Sequence, residues 1–208
     1  MTSVAVSIGT NIEREKNIRA ALAALGRTYG RLRLSSVYAN PAVGFQGPEF
    51  FNLVLVFDTC QPAAEIVATL RGIETEQGRV RSGNELDSRE LDLDLLLYGD
   101  AVLYSEGLDV PRGEILQHSY VLKPLSQILP EHCHPVTGEC YAAIWTKMES
   151  AGGALLEEDP RTIGLVLLGK GESIDAGNRR VAHLQRRIDG PNPERPNRTH
   201  HRIGDGHH

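Results

Sequence analysis

Apolar and polar positions along the chain change period several times, and each change predicts an element. Ser3–Gly9 (SVAVSIG) reads as a strand. Over Glu13–Leu25 the apolar positions move to helical spacing, with Ile18, Ala21, Leu22 and Leu25 on one face and Gly26 placed to close the helix. Leu32–Tyr38 and Phe50–Phe57 read as strands. Pro62 opens a second helix at its first turn, Ile66, Leu70 and Ile73 form its buried stripe, and Gly78 ends it. Leu91–Leu97 is a strand, Gly99-Asp100 a turn into Ala101–Leu103, and a loop around Pro111 leads to a short helix near Tyr120–Ile128. The order β-α-β-β-α-β is that of the split βαβ unit, so the expected class is α+β, a ferredoxin-like antiparallel sheet with helices packed on it. Such a fold hosts many functions and decides none.

The periodicity fails at one telling place. In "RELDLDLLLYGD" (Arg89–Asp100) two aspartates, Asp92 and Asp94, interrupt a leucine run. Alternation puts both on one face of the strand with Cβ atoms ~6.5–7 Å apart, and Leu91, Leu93 and Leu95 on the other. Like charges so placed repel and perturb each other's titration. Divalent cations relieve this, and two ions about 3.5–4 Å apart fit across such a pair and grip a polyphosphate. A half-exposed strand with a polar face is the plainer alternative. Arg79, Arg81 and Arg89 precede the pair, and guanidinium forks match phosphate oxygens. Pairing with Glu85, Asp87 and the two aspartates is the alternative for these arginines, more readily for Arg81 than for all three. A second constellation, "YANPAVGFQGPEFFN" (Tyr38–Asn52), is a Gly/Pro-rich loop entering a strand, with an aromatic and an amide suited to a flat heterocycle or, equally, to the core.

Composition narrows the classes. A chain of 208 residues with 40% hydrophobic and 24% charged positions is long enough for one domain with a core and ordinary for a soluble protein. The net charge of -5 argues against general nucleic-acid binding but leaves room for a small polyphosphate met by local arginines. No apolar run reaches the roughly 20 residues of a membrane span, and "MTSVAVSIGTN" lacks a basic leader region. Three cysteines, Cys60, Cys133 and Cys140, form an odd, sparse set that suggests a reducing compartment, with the cytoplasm as the default. From Gly171 onward the chain is rich in Gly, Pro, Asn, Arg and His, with no periodic apolar face after about Leu184. Residues 151–208 are expected to be a mostly disordered extension of a 1–150 domain, dispensable after about Leu184, apart from an apolar patch at Ile163–Leu168.

Taken in order, "SIGTN", "SSVYANPAVG", "EFFN", "IETEQGRVR", "RELDLDLLLYGD", "LDVPRGEI", "YVLKPLSQILPE" and "HPVTGE" resemble the 6-hydroxymethyl-7,8-dihydropterin pyrophosphokinases of folate biosynthesis across almost all of residues 3–148. G-R-x-R followed by R-x-L-D-L-D is the most specific part. The resemblance implies transfer of pyrophosphate from ATP to the pterin hydroxymethyl group, giving AMP, with two Mg2+ ions. It implies that Asp92 and Asp94 hold the metals and that Arg79 and Arg89 stabilise the transferred phosphates, these four being the catalytic set. Glu74, Arg81, Leu95, Arg112 and His118 are placed with Arg79 and Arg89 on the ATP side. Asn40, Pro41, Val43 and Asn52 are placed around the pterin, with Phe50 and Tyr120 against its ring. Small-molecule partners, no nucleic acid, no membrane and a monomer are expected.

Departures from the family pattern concentrate on the nucleotide side. Leu86 stands at a usual tryptophan, Asp87-Ser88 at a Gly-Pro, Asp109 at a hydroxyl, Arg112 at a histidine and His118 at a frequent arginine. These changes leave an altered-specificity or non-catalytic pterin or nucleotide binder as the alternative function. Glu85 and Asp87 bring negative charge towards the nucleotide, and Arg112 is expected to offset it. "EHCHPVTGEC" (Glu131–Cys140) fits no standard zinc spacing, and the resemblance makes it a structural hairpin. "LGKGES" (Leu168–Ser173) lacks P-loop spacing and reads as a turn.

Overall fold

The computed structural model of the protein describes residues 1–42, 44, 46–78, 90–105, 107–152 and 157–158. Strand β1 (Thr2–Thr10) lies in the middle of an antiparallel sheet, between β4 (Phe50–Thr59) and β5 (Asp92–Tyr98). β3 (Tyr38–Asn40) pairs with β4 beyond it, and β2 (Arg33–Leu34) also pairs with β4. The order β5-β1-β4-β3 is the split βαβ arrangement that the periodicity predicted. β6 (Leu103–Ser105) and β7 (Leu108–Val110) form a separate hairpin after the Gly99 turn.

The two faces of the sheet are covered differently. Val4, Val6 and Ile8 of β1, Phe51, Leu53, Leu55 and Phe57 of β4, and Leu91, Leu93 and Leu95 pack against α1 (Arg14–Tyr29) and α2 (Ala63–Glu76). On the other face Ala5, Val54, Val56, Leu96 and Leu97 meet α3 (Ser119–Ile128) and α4 (Tyr141–Ser150) through Val121, Leu122, Leu125, Tyr141 and Trp145. This second core occupies only half of its face; the rest carries Ser7, Gly9, Asn52, Asp92 and Asp94.

Three adjacent leucines allow this division. Ala5 pairs with Leu97 and Val6 with Leu95, so Leu96 is an extra residue in the β1–β5 ladder. A bulge lets two neighbouring side chains turn the same way. Leu96 and Leu97 therefore both enter the second core, while the strand before them keeps strict alternation.

Several boundaries move. α1 passes Gly26 and ends at Tyr29, closed by Gly30, whose positive φ of 75° and N–H bond to the Gly26 carbonyl (2.9 Å) make the terminus. Pro62 is the residue before α2, not its first turn. The strand expected over Leu32–Tyr38 splits in two, because the Ser35 side chain accepts the Val54 N–H (2.9 Å) and locally replaces the ladder. α4 was not expected; Tyr141, Ile144, Trp145 and Met148 give it a short apolar stripe. Glu157–Glu158 add a strand, β8, beside β3, while 153–156 and 159–208, including the Ile163–Leu168 patch and the "LGKGES" turn, lie outside the described residues. No helix among the described residues is long and apolar enough to cross a membrane.

Gln127 of α3 fastens the outer strand. Its Oε1 accepts from the Ser36 N–H (2.7 Å) and the Tyr38 hydroxyl (3.3 Å), and its Nε2 donates to Ser36 Oγ (2.8 Å). Gln127→Ala leaves the Ser36 N–H without its partner and is expected to cost about 1–3 kcal/mol in urea unfolding. An unchanged midpoint would show that these bonds contribute nothing net.

Candidate active site

β-Pairing builds a row of side chains across the polar half of the face, where Tyr38, Asn40 and Asn52 are buried and Ser7, Gly9, Asp92 and Asp94 are half-buried. Gly9 sits opposite Asn52 on one side and Asp92 on the other, and Tyr38 lies opposite Asn52. The next row is Asp94, Ser7 and Val54. Directly paired residues share a face, so Asn40 and Phe50, which pair with each other, join this surface as well. The expected pterin residues Asn40, Phe50 and Asn52 and the expected metal residues Asp92 and Asp94 are thus brought together, with β1 between them.

Gly9 is the residue that the sequence reading passed over. A Cβ there would come within 3.1 Å of Asn52 Oδ1 and 3.9 Å of Asp92 Cβ. The missing side chain lets the Asn52 amide lie close over the β1 backbone, next to Asp92. An isolated glycine inside a strand is the signal that points to such an approach. Asn52 is oriented by its Nδ2, which donates to Asn40 Oδ1, while Asn40 Nδ2 donates to the Pro41 carbonyl (2.9 Å). The exposed Pro41 is therefore at the rim; Val43 lies outside the described residues.

The residues after Gly9 hold the loops that border the site. Thr10 Oγ1 donates to the Glu90 carbonyl (2.6 Å), and Asn17 Nδ2 donates to the same oxygen (2.8 Å), fixing the chain two residues before Asp92. Asn11 Nδ2 reaches the Pro48 carbonyl (3.3 Å) just ahead of β4. "GTN" is therefore a junction between the Asn40–Asn52 segment and the aspartate strand. Three of its expected neighbours, Arg79, Arg81 and Arg89, fall with residues 82–88 outside the described residues.

Among the described residues, three carboxylates and one guanidinium act on Asp94. Burial and then the Asp92 carboxylate push its carboxyl up from 3.8 to about 6; Arg112 pulls the other way, and Glu114 and Glu74 add to the rise. Arg112 Nη2 lies 3.1 Å from Asp94 Oδ1, and its Nε lies 3.0 Å from Glu114 Oε2. Burial alone would lower the Arg112 guanidinium, but Asp94, Glu114 and Asp92 hold it above its ordinary range. The arginine expected beside ATP is, in this structure, the counter-ion of an expected metal ligand.

The remaining expected ATP residues have varied placements. Glu74 is buried, and its Oε1 accepts the Leu93 N–H (2.8 Å), so it holds the outer edge of β5. The Leu95 side chain is packed in the first core, so it can offer a ligand only its backbone. His118 and Tyr120 stack with ring centroids 4.8 Å apart, joining a residue expected at ATP to one expected at the pterin.

Two substitutions test this geometry. Gly9→Ala puts a Cβ 3.1 Å from Asn52 Oδ1, so the amide must shift, and it is expected to weaken binding of a hydroxymethyl pterin at least roughly tenfold, about 1.4 kcal/mol; equal affinity of the two proteins in isothermal titration would remove Asn52 from the pterin site. Ionising Asp94 costs folding stability as pH rises from about 4 to about 6. In metal-free buffer Asp94→Asn is therefore expected to raise Tm by roughly 2–4 °C at pH 7.5, about 1 kcal/mol after allowance for solvent screening, and not at all at pH 3.5. An equal gain at both pH values would rule out charge as the cause.

Comparisons with known proteins give the family of the chain. The family model described as 7,8-dihydro-6-hydroxymethylpterin-pyrophosphokinase (HPPK) matches residues 5–130. The 2-amino-4-hydroxy-6-hydroxymethyldihydropteridine pyrophosphokinase of Synechocystis is 33% identical over 64% of this chain and 70% of its own length. That of Aquifex aeolicus is 30% identical over 65% of this chain and 86% of its own. The chain spans only 23% of the folic acid synthesis protein fol1 of Pneumocystis carinii, to which it is 32% identical over 83% of its own length. A Plasmodium falciparum HPPK-DHPS crystal structure shares the fold over 74% of this chain and 46% of that one, with a TM-score of 0.56 and 13% identity. On the family match and the two bacterial relatives, the chain belongs to the 7,8-dihydro-6-hydroxymethylpterin-pyrophosphokinase family.

Proposed function

We propose that this chain transfers pyrophosphate from ATP to the hydroxymethyl group of 6-hydroxymethyl-7,8-dihydropterin, releasing AMP, as a cytoplasmic monomer in folate biosynthesis. The observation that carries the reading is the row Asp92–Gly9–Asn52, which sets an amide and a carboxylate pair on either side of a strand glycine. In the reaction the hydroxymethyl oxygen bonds to the β-phosphorus, the bond from that phosphorus to the bridging α-oxygen breaks, and AMP leaves with the electron pair. The hydroxyl proton is lost, and no covalent protein intermediate forms.

Each residue has a part in this. Asn52, set by Asn40, hydrogen-bonds the pterin edge, and Pro41 and Val43 bound it. Phe50 lies against one side of the ring and Tyr120, with His118 stacked behind it, against the other. Arg79, Arg81 and Arg89 bind the phosphates, and Glu74 and Leu95 present the edge of β5 to the nucleotide. Asp92 and Asp94 suit two Mg2+ ions, because they lie on one face and Asp94 carries a charge that its surroundings resist. The ions supply neutralisation and orientation of the triphosphate. Arg112 balances Asp94 while the site is free of ligand, and its contact with Glu114 holds the guanidinium at the rim, within reach of phosphate.

The deciding assay is AMP formation from Mg-ATP with and without the hydroxymethyl dihydropterin. AMP is expected to appear only with the pterin. Binding of both ligands without AMP would make the chain a binder, and failure to bind the pterin would overturn the reading. Asp92→Asn is expected to lower turnover at least roughly a hundredfold. Arg112→Met is expected to tighten Mn2+ binding to the ligand-free protein, followed by its paramagnetic resonance signal, and to weaken ATP by about tenfold to a hundredfold while sparing the pterin. Equal loss for both ligands would make Arg112 structural.

A further inference from the structure

The stretch Glu131–Cys140 plays no part in the pterin site. It forms a tight hairpin between α3 and α4. The His134 N–H donates to the Glu139 carbonyl (2.8 Å) and the Tyr141 N–H to the His132 carbonyl (3.0 Å). These bonds flank Cys133 and Cys140, which form an isolated antiparallel bridge. Residues enclosed in this way are a non-hydrogen-bonded pair, whose Cα atoms approach to about 4.5 Å with side chains on one side. That separation is within the range a disulfide spans.

Three further observations bear on the pair. The two Sγ atoms lie 3.1 Å apart. The turn is braced from within: the buried His134 ring accepts at Nδ1 from the N–H groups of Val136 (3.2 Å) and Thr137 (3.3 Å). Gly138, with φ of 73°, returns its N–H to the His134 carbonyl (2.9 Å). Cys133 is exposed and Cys140 partly so, which leaves the sulfurs open to a small reagent. A metal is the less fitting occupant, because the pair offers two sulfurs where a tetrahedral thiolate site takes four ligands. The nearby His132 is turned to Asp100 (3.3 Å).

We propose that Cys133 and Cys140 are a dithiol–disulfide site whose reactant is a small disulfide of the glutathione class. The thiolate of one cysteine attacks the reagent disulfide, forming a mixed disulfide and releasing one glutathione thiolate, which takes up the proton. The second thiolate attacks the protein sulfur of the mixed disulfide and releases the second glutathione. The protein is oxidised by two electrons and loses two hydrogen atoms, and one reagent disulfide is reduced to two thiols. The hydrogen bond with Cys140 holds the Cys133 thiol above its ordinary range, so the exchange accelerates as pH rises above neutral. The link closes a short loop tying the end of α3 to the start of α4. It acts chiefly on the unfolded chain and leaves the opposite end of α3 as it is.

Incubation of the full chain with oxidised glutathione, followed by peptide mass mapping, tests the site. The expected product is a Cys133–Cys140 link two hydrogen atoms lighter, without bound glutathione, while the lone exposed Cys60 takes up glutathione. In Cys140→Ser, Cys133 is expected to retain glutathione as a mixed disulfide. Glutathione on both Cys133 and Cys140, or two free thiols where Cys60 has reacted, would overturn the proposal. In a Cys60→Ser background the linked chain is expected to melt roughly 5 °C above the reduced one. A link with no rise in Tm would overturn the stapling role. None of these readouts depends on catalysis, so they stand or fall separately from the pyrophosphokinase reading.

Discussion

The pairing of β1 with both β4 and β5 is the constraint on which the site depends. It fixes Gly9 between Asn52 and Asp92 and Ser7 between Val54 and Asp94. Side chains on a sheet alternate, so a slip of one residue in either ladder would send the aspartates or the asparagine to the opposite face. The first hydrophobic core holds this register, because Val4, Val6 and Ile8 must stay among the helices α1 and α2 for the amide and carboxylates to lie on the opposite face. Thr10, Asn11 and Asn17 extend the control to the neighbouring loops by hydrogen-bonding the Glu90 and Pro48 carbonyls.

The sheet face opposite α1 and α2 divides into a dry half and a polar half. The bulge at Leu96 crowds apolar side chains under α3 and α4, and the strand before it is left to the aspartates. The second core thus lies next to the charged row and lowers the local polarity around it. Coulomb interactions strengthen there, and an ionised carboxylate becomes harder to keep. The raised Asp94 carboxyl and the firmly charged Arg112 beside it are two results of the same geometry. In the ligand-free structure Arg112 thus serves as the counter-ion of Asp94.

A great deal was legible locally. Periodicity set the order of the principal strands and helices, and the alternation of "LDLDL" placed Asp92 and Asp94 on one face, because strand geometry turns every second side chain the same way. The ordered motifs identified the family. Helix ends were less legible: Gly26 looked like a stop, yet tertiary packing carried α1 on to Gly30. α4 was missed because its stripe is short and follows a hairpin rich in His and Cys.

Tertiary structure decided which distant groups meet. Nothing in the spacing of Arg112 shows that its guanidinium rests on Asp94, that Glu74 accepts the Leu93 N–H, or that Leu95 turns its side chain into the core while Leu96 and Leu97 turn away. Nor does it show Cys133 facing Cys140. The sequence by itself determined the local elements and the residue types available to the site, because backbone sterics and periodicity act over a few residues. Only the fold decided the ion pair and the close approach of Asn52 to Gly9, because both depend on segments that the chain brings together from far apart.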